Sequence, residues 1–68
     1  MINTRKIKGR MVELGISQQD AAKRLDIAQP TFNQKLNGTR AFKIGEVQEL
    51  VNLLEIADED VAEYFFVH

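Results

Sequence analysis

The sequence predicts an all-α fold, a compact domain of five short helices. Apolar residues recur at intervals of three and four along almost the whole chain, which is the spacing of one helix face. No segment alternates apolar and polar residues with a period of two, so strands are not expected. The chain has 68 residues and neither a linker nor an internal repeat, and we therefore expect residues 1–68 to form a single domain.

The first predicted helix runs from Asn3 or Thr4 to Leu14. Either polar residue at its start can accept a hydrogen bond from an unpaired backbone amide as the N-cap. Gly15 supplies the left-handed conformation that commonly ends a helix. The inward face of this helix is predicted to carry Ile7, Met11 and Leu14.

The second predicted helix begins at Ser17. Ser17 and Asp20 have the spacing of a capping box, with a serine N-cap and an acid three residues later. Asp26 ends the helix, because aspartate is one of the few residues besides glycine that tolerate the left-handed conformation. Its buried face is predicted to consist of Ala21, Ala22 and Leu25.

The third predicted helix begins near Gln29. Pro30 lies in its first turn, where a missing amide hydrogen costs nothing. Phe32 and Leu36 are one helical turn apart and are predicted to face the core. The helix ends at Asn37-Gly38, a typical C-cap pair, and residues 39–43 follow as a short loop.

The last two predicted helices run from Ile44 to Leu54 and from Asp58 onward. The acidic first turn of the fifth helix suits the positive end of a helix dipole. The residues predicted to point inward from the fourth helix are Ile44, Val47, Leu50, Val51 and Leu54. The apolar residues of the fifth helix are Val61, Ala62, Phe65 and Phe66.

Charge is divided unevenly between the two parts of the chain. Residues 1–43 contain all nine Lys and Arg residues and three acids, whereas residues 44–68 contain seven acids and no Lys or Arg. Such asymmetry indicates a surface that faces a polyanion. The alternative interpretation is that the basic and acidic parts attract each other within the fold. Charge alone does not decide between these two interpretations.

The composition argues against several classes of function. The chain has no cysteine, and its one histidine is the final residue, His68. We therefore expect no metal site, no cofactor and no catalytic activity, because there is no thiol nucleophile and the acids are spaced like a solvated helix face with no His or Cys beside them. No apolar run approaches the ~18 residues of a membrane helix, and no signal-peptide core is visible, so we expect a cytoplasmic protein.

The segment from Ser17 to Gly38 is the most informative part of the sequence. It holds two helices of about two turns each, joined by three or four residues, which forces a steep crossing with a small residue, Ala22, at the contact. The second of these helices contains no acid. Its predicted solvent face carries Gln29, Thr31, Asn33, Gln34 and Lys35. Amide side chains can donate and accept together at an adenine edge.

This segment resembles the helix-turn-helix of the Cro/C-repressor (XRE-like) DNA-binding proteins. The family spacing is matched by Gln18, Ala22, the turn at Asp26, Phe32 and Gly38, and the likeness extends over about residues 3–66. The Lys35-Leu36-Asn37-Gly38 ending is similar to small phage regulators of Gram-positive bacteria. The chain departs from the family at Asp26, where glycine is usual, and at Met11 and Leu36, where the family often pairs an Arg with an acid.

The resemblance implies a lambda-repressor-like fold whose third helix enters the major groove of DNA. On this basis the candidate base contacts are Gln29, Pro30, Thr31, Asn33 and Gln34. The candidate phosphate contacts are Gln18, Lys35, Asn37, Thr39, Arg40 and Lys43. Gln18 is also expected to support Gln29, although its alternative role is simple capping of the second helix.

The resemblance also implies a function and partners. We expect a sequence-specific transcriptional regulator of the phage or prophage repressor type, located at the nucleoid. Its partners would be double-stranded operator DNA, palindromic in sequence, and a second copy in a weak homodimer through Tyr64, Phe66 and Val67. In the alternative, Phe66 belongs to the core and is covered by the first helix. The rival function is a protein-interaction module that docks a partner through the acidic C-terminal half.

Overall fold

The computed structural model describes residues 2–66, and all regular structure in that range is helical. The five α-helices are α1 (Thr4–Leu14), α2 (Gln18–Leu25), α3 (Gln29–Leu36), α4 (Ile44–Leu53) and α5 (Val61–Phe65). A 3-10 turn, Asp58–Asp60, leads into α5, so the fifth helix begins more tightly wound than predicted. The all-α prediction is confirmed, and the boundaries of α1 to α4 agree with the sequence to within one residue.

The predicted signals at the two ends of α1 are present. The Asn3 side chain accepts a hydrogen bond from the backbone amide of Lys6 at 3.2 Å, as an N-cap does. Gly15 adopts the left-handed conformation with φ of 68°, which lets the chain leave the helix without strain from a Cβ atom. Local sequence therefore determines where this helix starts and stops.

The core is a single apolar cluster to which all five α-helices contribute. Its completely buried large side chains are Ile7, Phe32, Leu36, Leu50 and Leu54. The ring of Phe32 also meets that of Phe42 edge to face, with centroids 5.9 Å apart. Met11 and Leu36, where the resembled family often has an ion pair, are both buried in this cluster, so no charge has to be desolvated there.

Contacts from α1 hold the C-terminal part of the chain. The backbone amide of Asn3 donates to the carbonyl of Tyr64 at 2.7 Å, and Lys6 forms an ion pair with Glu63. Arg10 donates to the carbonyl of Leu54 at 2.8 Å, just beyond the last residue of α4. A cation at this place stabilises a helix end whose carbonyls have no intrahelical partner.

The prediction that Ile44 points inward is wrong, and two apolar residues in or next to α5, whose burial was not predicted, are exposed as well. Ile44 is 79% exposed, because it is the first residue of α4 and lies about 120° around the helix from Leu50. Ala62 is also exposed. Phe66 is 64% exposed, so α1 does not cover it and it is not a core residue. Val67 lies outside the described residues. No helix within residues 2–66 is long and apolar enough to cross a membrane.

Candidate nucleic-acid interface

The segment from Ser17 to Gly38 forms two eight-residue helices, α2 and α3, joined by a three-residue turn. The Ser17 hydroxyl accepts from the Asp20 amide at 3.0 Å, and the Asp20 carboxylate accepts from the Ser17 amide at 3.1 Å, which is the predicted capping box. Hydrogen bonding by the Ser17 amide and hydroxyl holds the pKa of Asp20 below its ordinary value. Asp26 has φ of 58°, so it adopts the left-handed conformation without being glycine.

Close packing of the two helices depends on small residues in α2. Ala21 and Ala22 are buried, and Phe32 of α3 is buried as well. The backbone amide of Ile27 reaches back to the carbonyl of Ala22 at 3.0 Å, which closes the end of α2 and starts the turn. This arrangement fixes which side of α3 turns toward the core and which side faces solvent.

The solvent side of α3 forms one continuous arc that contains no acid. Residues 29, 30, 33, 34 and 37 are all exposed, and at 100° per residue they lie within about 140° of each other around the helix. We call these residues the polar arc: Gln29, Pro30, Asn33, Gln34 and Asn37. Thr31 is half-buried at its margin. Four of the five predicted base contacts thus share one exposed surface.

Three amide side chains on this surface are joined by hydrogen bonds. Asn37 Nδ2 donates to Asn33 Oδ1 at 2.9 Å, and Asn33 Nδ2 donates to Gln18 Oε1 at 2.7 Å. We call Gln18, Asn33 and Asn37 the amide ladder. The side chain of Gln18 is bonded to Asn33 rather than to Gln29, which lies one turn earlier in α3, so its support of Gln29 stays a prediction.

Lys35 does not lie on the solvent face, contrary to the sequence prediction. It is 5% exposed, and its Nζ lies 2.6 Å from Oε1 of Glu46. Glu46 also accepts a hydrogen bond from the backbone amide of Lys43 at 2.9 Å. The ammonium group of Lys35 is thus occupied inside the protein, so the prediction that Lys35 contacts a phosphate is wrong.

The electrostatics of this buried pair favour the charged form of Glu46. Burial raises the pKa of the Glu46 carboxyl, but hydrogen bonds from the Lys35 ammonium and the Lys43 amide, together with the charges of both lysines, lower it more. The net pKa lies below its ordinary value. The pair therefore fastens the end of α3 to the start of α4 and closes the loop between them.

That loop presents the remaining candidate phosphate contacts. Thr39, Arg40 and Lys43 are exposed, and within residues 2–66 neither cation forms an ion pair. The backbone amides of Thr39 and Arg40 both donate to the carbonyl of Gln34, at 2.9 and 3.3 Å. The loop therefore folds back against the C-terminal end of α3, which places the backbone of Arg40 next to the end of the polar arc, while Lys43 lies at the start of α4.

Internal ion pairs account for part of the charge division, and the polyanion-facing surface stays a prediction. Three ion pairs join the basic and acidic parts of the chain: Lys6–Glu63, Arg24–Glu49 and Lys35–Glu46. Five cations are exposed without an ion pair in the described range: Arg5, Lys8, Lys23, Arg40 and Lys43. Internal attraction accounts for a third of the nine Lys and Arg residues, and a polyanion could meet the five unpaired ones.

The sequence analysis did not predict two side-chain contacts, that of Lys35 with Glu46 and that of Gln18 with Asn33. Helical spacing indicated that Lys35 would need a buried partner, because Phe32, Lys35 and Leu36 are three and four residues apart and share one helix face. A lysine on an apolar face needs a carboxylate partner. Glu46 stands at the third position of α4, where an acid also serves the helix start.

Comparison with known proteins places the chain in a family without assigning it an activity. No curated protein matches the sequence significantly. Residues 2–68 match the family described as Protein of unknown function (DUF739). Because this match spans nearly the whole chain, the protein belongs to the DUF739 family.

Proposed function

We propose that the protein is a sequence-specific DNA-binding transcriptional regulator. The observation that carries the proposal is the polar arc of α3, an exposed surface with amide side chains and no acid, followed by a loop with the unpaired cations Arg40 and Lys43. A solubilising helix surface ordinarily uses Glu and Lys, whereas amides are suited to the edges of base pairs. The α2–turn–α3 unit would then act as a helix-turn-helix, with α3 in the major groove.

Base recognition would come from the exposed amides of Gln29 and Gln34. Each can donate to adenine N7 and accept from adenine N6 in a two-bond contact. Pro30 would contribute an apolar contact from the same arc, and the half-buried Thr31 would contribute from its margin. No other side chain of the described range forms a hydrogen bond with either glutamine, so both amides are available for a base.

The phosphate contacts would surround this surface. Arg40 and Lys43 supply charge, Thr39 supplies a hydroxyl, and Gln18 supplies an amide at the first residue of α2. Contacts with phosphates set the position of a protein on DNA and make binding depend on salt. Asn37, at the end of α3, would lie between the base and phosphate contacts.

A regulator of this size would act sterically, as a phage or prophage repressor that occupies an operator in the cytoplasm. Two copies on a palindromic operator would read half-sites about one helical turn apart. The exposed Phe66 supports such pairing, because it lines a groove of about 570 Å³ together with Phe42 and Val47. Tyr64 is half-buried beside α1 and would contribute at most an edge of this contact.

The test is binding to random duplex DNA across a salt series, followed by selection of bound sites from a random pool. We expect affinity to fall steeply with salt, and the selected sites to share one motif with two-fold symmetry. A protein that binds no DNA at low salt, or that binds without enriching any sequence, would refute the proposal.

A protein-interaction module is the second candidate, and one observation favours it. Asp58, Glu59 and Asp60 form an exposed turn and have no ion-pair partner within residues 2–66. A module that docks a partner through this turn would not bind DNA at any salt concentration. The same salt series therefore separates the two candidates.

A further inference from the structure

The amide ladder has a direction that gives its two ends different chemistry. A primary amide carries two N–H donors and one oxygen that accepts. In each of the two bonds the carbonyl belongs to the residue that comes earlier in the chain, first Asn33 and then Gln18. The ladder therefore ends on the NH₂ group of Gln18, and within residues 2–66 that group has no acceptor.

Stability does not account for the ladder. Both hydrogen bonds are exposed, so water competes for the same donors and acceptors and the net gain is small. Asn33 also lies in the interior of α3, where asparagine is a poorer helix former than alanine. A role in fixing the orientation of its neighbours accounts for its place better than a role in folding.

The middle position of Asn33 limits what it can offer DNA. One of its donors and its oxygen are already engaged with Gln18 and Asn37. Asn33 keeps one N–H donor and one oxygen lone pair, but the two ladder bonds fix the plane of its amide, so it cannot turn freely to make a two-bond contact with adenine. Gln29 and Gln34 have no such commitment.

We propose that Asn33 is a positioning residue: it does not read a base but holds the Gln18 amide so that Nε2 donates to a DNA phosphate. This inference rests on the proposed function, and it replaces the base contact expected of Asn33. Ordering the Gln18 side chain before binding removes part of the entropy cost of ordering it at the interface. Without Asn33, the Gln18 amide can rotate and turn its oxygen, Oε1, toward the phosphate, and this oxygen cannot donate a hydrogen bond.

The first experiment compares Gln18→Ala, Asn33→Ala and the double variant, on the selected operator and on random duplex DNA at one salt concentration. We expect Asn33→Ala to lower the affinity for both DNAs by the same factor, about 3- to 10-fold, which corresponds to the loss of one hydrogen bond. The double variant should bind no more weakly than Gln18→Ala, because Asn33 acts through Gln18. Asn52→Ala removes an exposed amide from α4 and is the matched control, with unchanged affinity expected.

The second experiment needs no DNA. Side-chain ¹⁵N relaxation should show the Gln18 NH₂ group ordered in the wild-type protein and mobile in Asn33→Ala. The unfolding midpoint of Asn33→Ala should be equal or slightly higher, since alanine favours the helix. Equal mobility of Gln18 in both proteins would overturn the inference.

The DNA results separate the inference from the function on which it rests. A change in base preference at one operator position in Asn33→Ala would show that Asn33 reads a base. Losses that multiply in the double variant would show that it acts independently of Gln18. Either result overturns the inference and leaves the proposed function in place, whereas a wild-type protein that binds no DNA overturns both.

Discussion

Replacement of Lys35 by methionine tests the structural role of the buried ion pair. Methionine fills a similar volume but leaves the Glu46 carboxylate, which is 12% exposed, without the ammonium 2.6 Å away. Removing one member of a buried pair commonly costs 3–5 kcal/mol, that is about 3 kcal/mol here because Glu46 keeps its bond to the Lys43 amide. A domain of 68 residues has a total stability of roughly 3–10 kcal/mol, so this loss would be large.

Thermal and urea unfolding of Lys35→Met measure the loss. At about 4–8 °C per kcal/mol for a domain of this size, we expect the midpoint temperature to fall by about 12–24 °C. The double variant Lys35→Met/Glu46→Gln should recover most of the loss, because it buries no unpaired charge and its amide oxygen can still accept from Lys43. A loss below about 1 kcal/mol for Lys35→Met, the range of exposed ion pairs, would refute the claim that this pair is buried and tightly held.

Three further predictions concern Glu46, the two loop cations and Phe66. The folded-state pKa of Glu46 is depressed, so the contribution of Glu46 to folding stability is present above the ordinary pKa of 4.5 and is lost as pH falls through and below that value. Urea unfolding measured against pH should show this loss of stability, and the loss should be smaller in Glu46→Gln. Arg40→Ala and Lys43→Ala should each lower the affinity for selected and for random DNA equally, and lower the slope of log K against log salt by about one. A change of base preference would show instead that the residue contacts a base. Phe66→Ser should stay folded, since the ring is exposed, and sedimentation should show loss of a weak dimer; unfolding would place Phe66 in the core.

The helix ends were predictable from sequence because they depend on neighbouring residues. The Ser17–Asp20 capping box and the left-handed residues Gly15 and Asp26 are local signals, and each is present in the structure. The apolar spacing likewise located the core residues of α1 and α3. These features need no knowledge of how distant parts of the chain meet.

The errors arose where a side chain depends on a distant element. Lys35 looks like a surface cation until α4 brings Glu46, 11 residues away, against it. Gln18 lies 15 residues before Asn33, and only the packing of α2 on α3 brings the two amides together. Ile44 was misplaced for a simpler reason: its spacing from Val47 and Val51 is helical, but that stripe lies at the margin of the core.

The central claim is that Gln29 and Gln34 of the polar arc read base pairs. Selection of bound sites with wild-type protein, Gln29→Ala and Gln34→Ala tests it most directly. We expect each variant to lose preference at one position per half-site and about 1–3 kcal/mol of binding free energy at the wild-type operator, with affinity for random DNA unchanged. Identical preferences and affinities for the three proteins would contradict the claim.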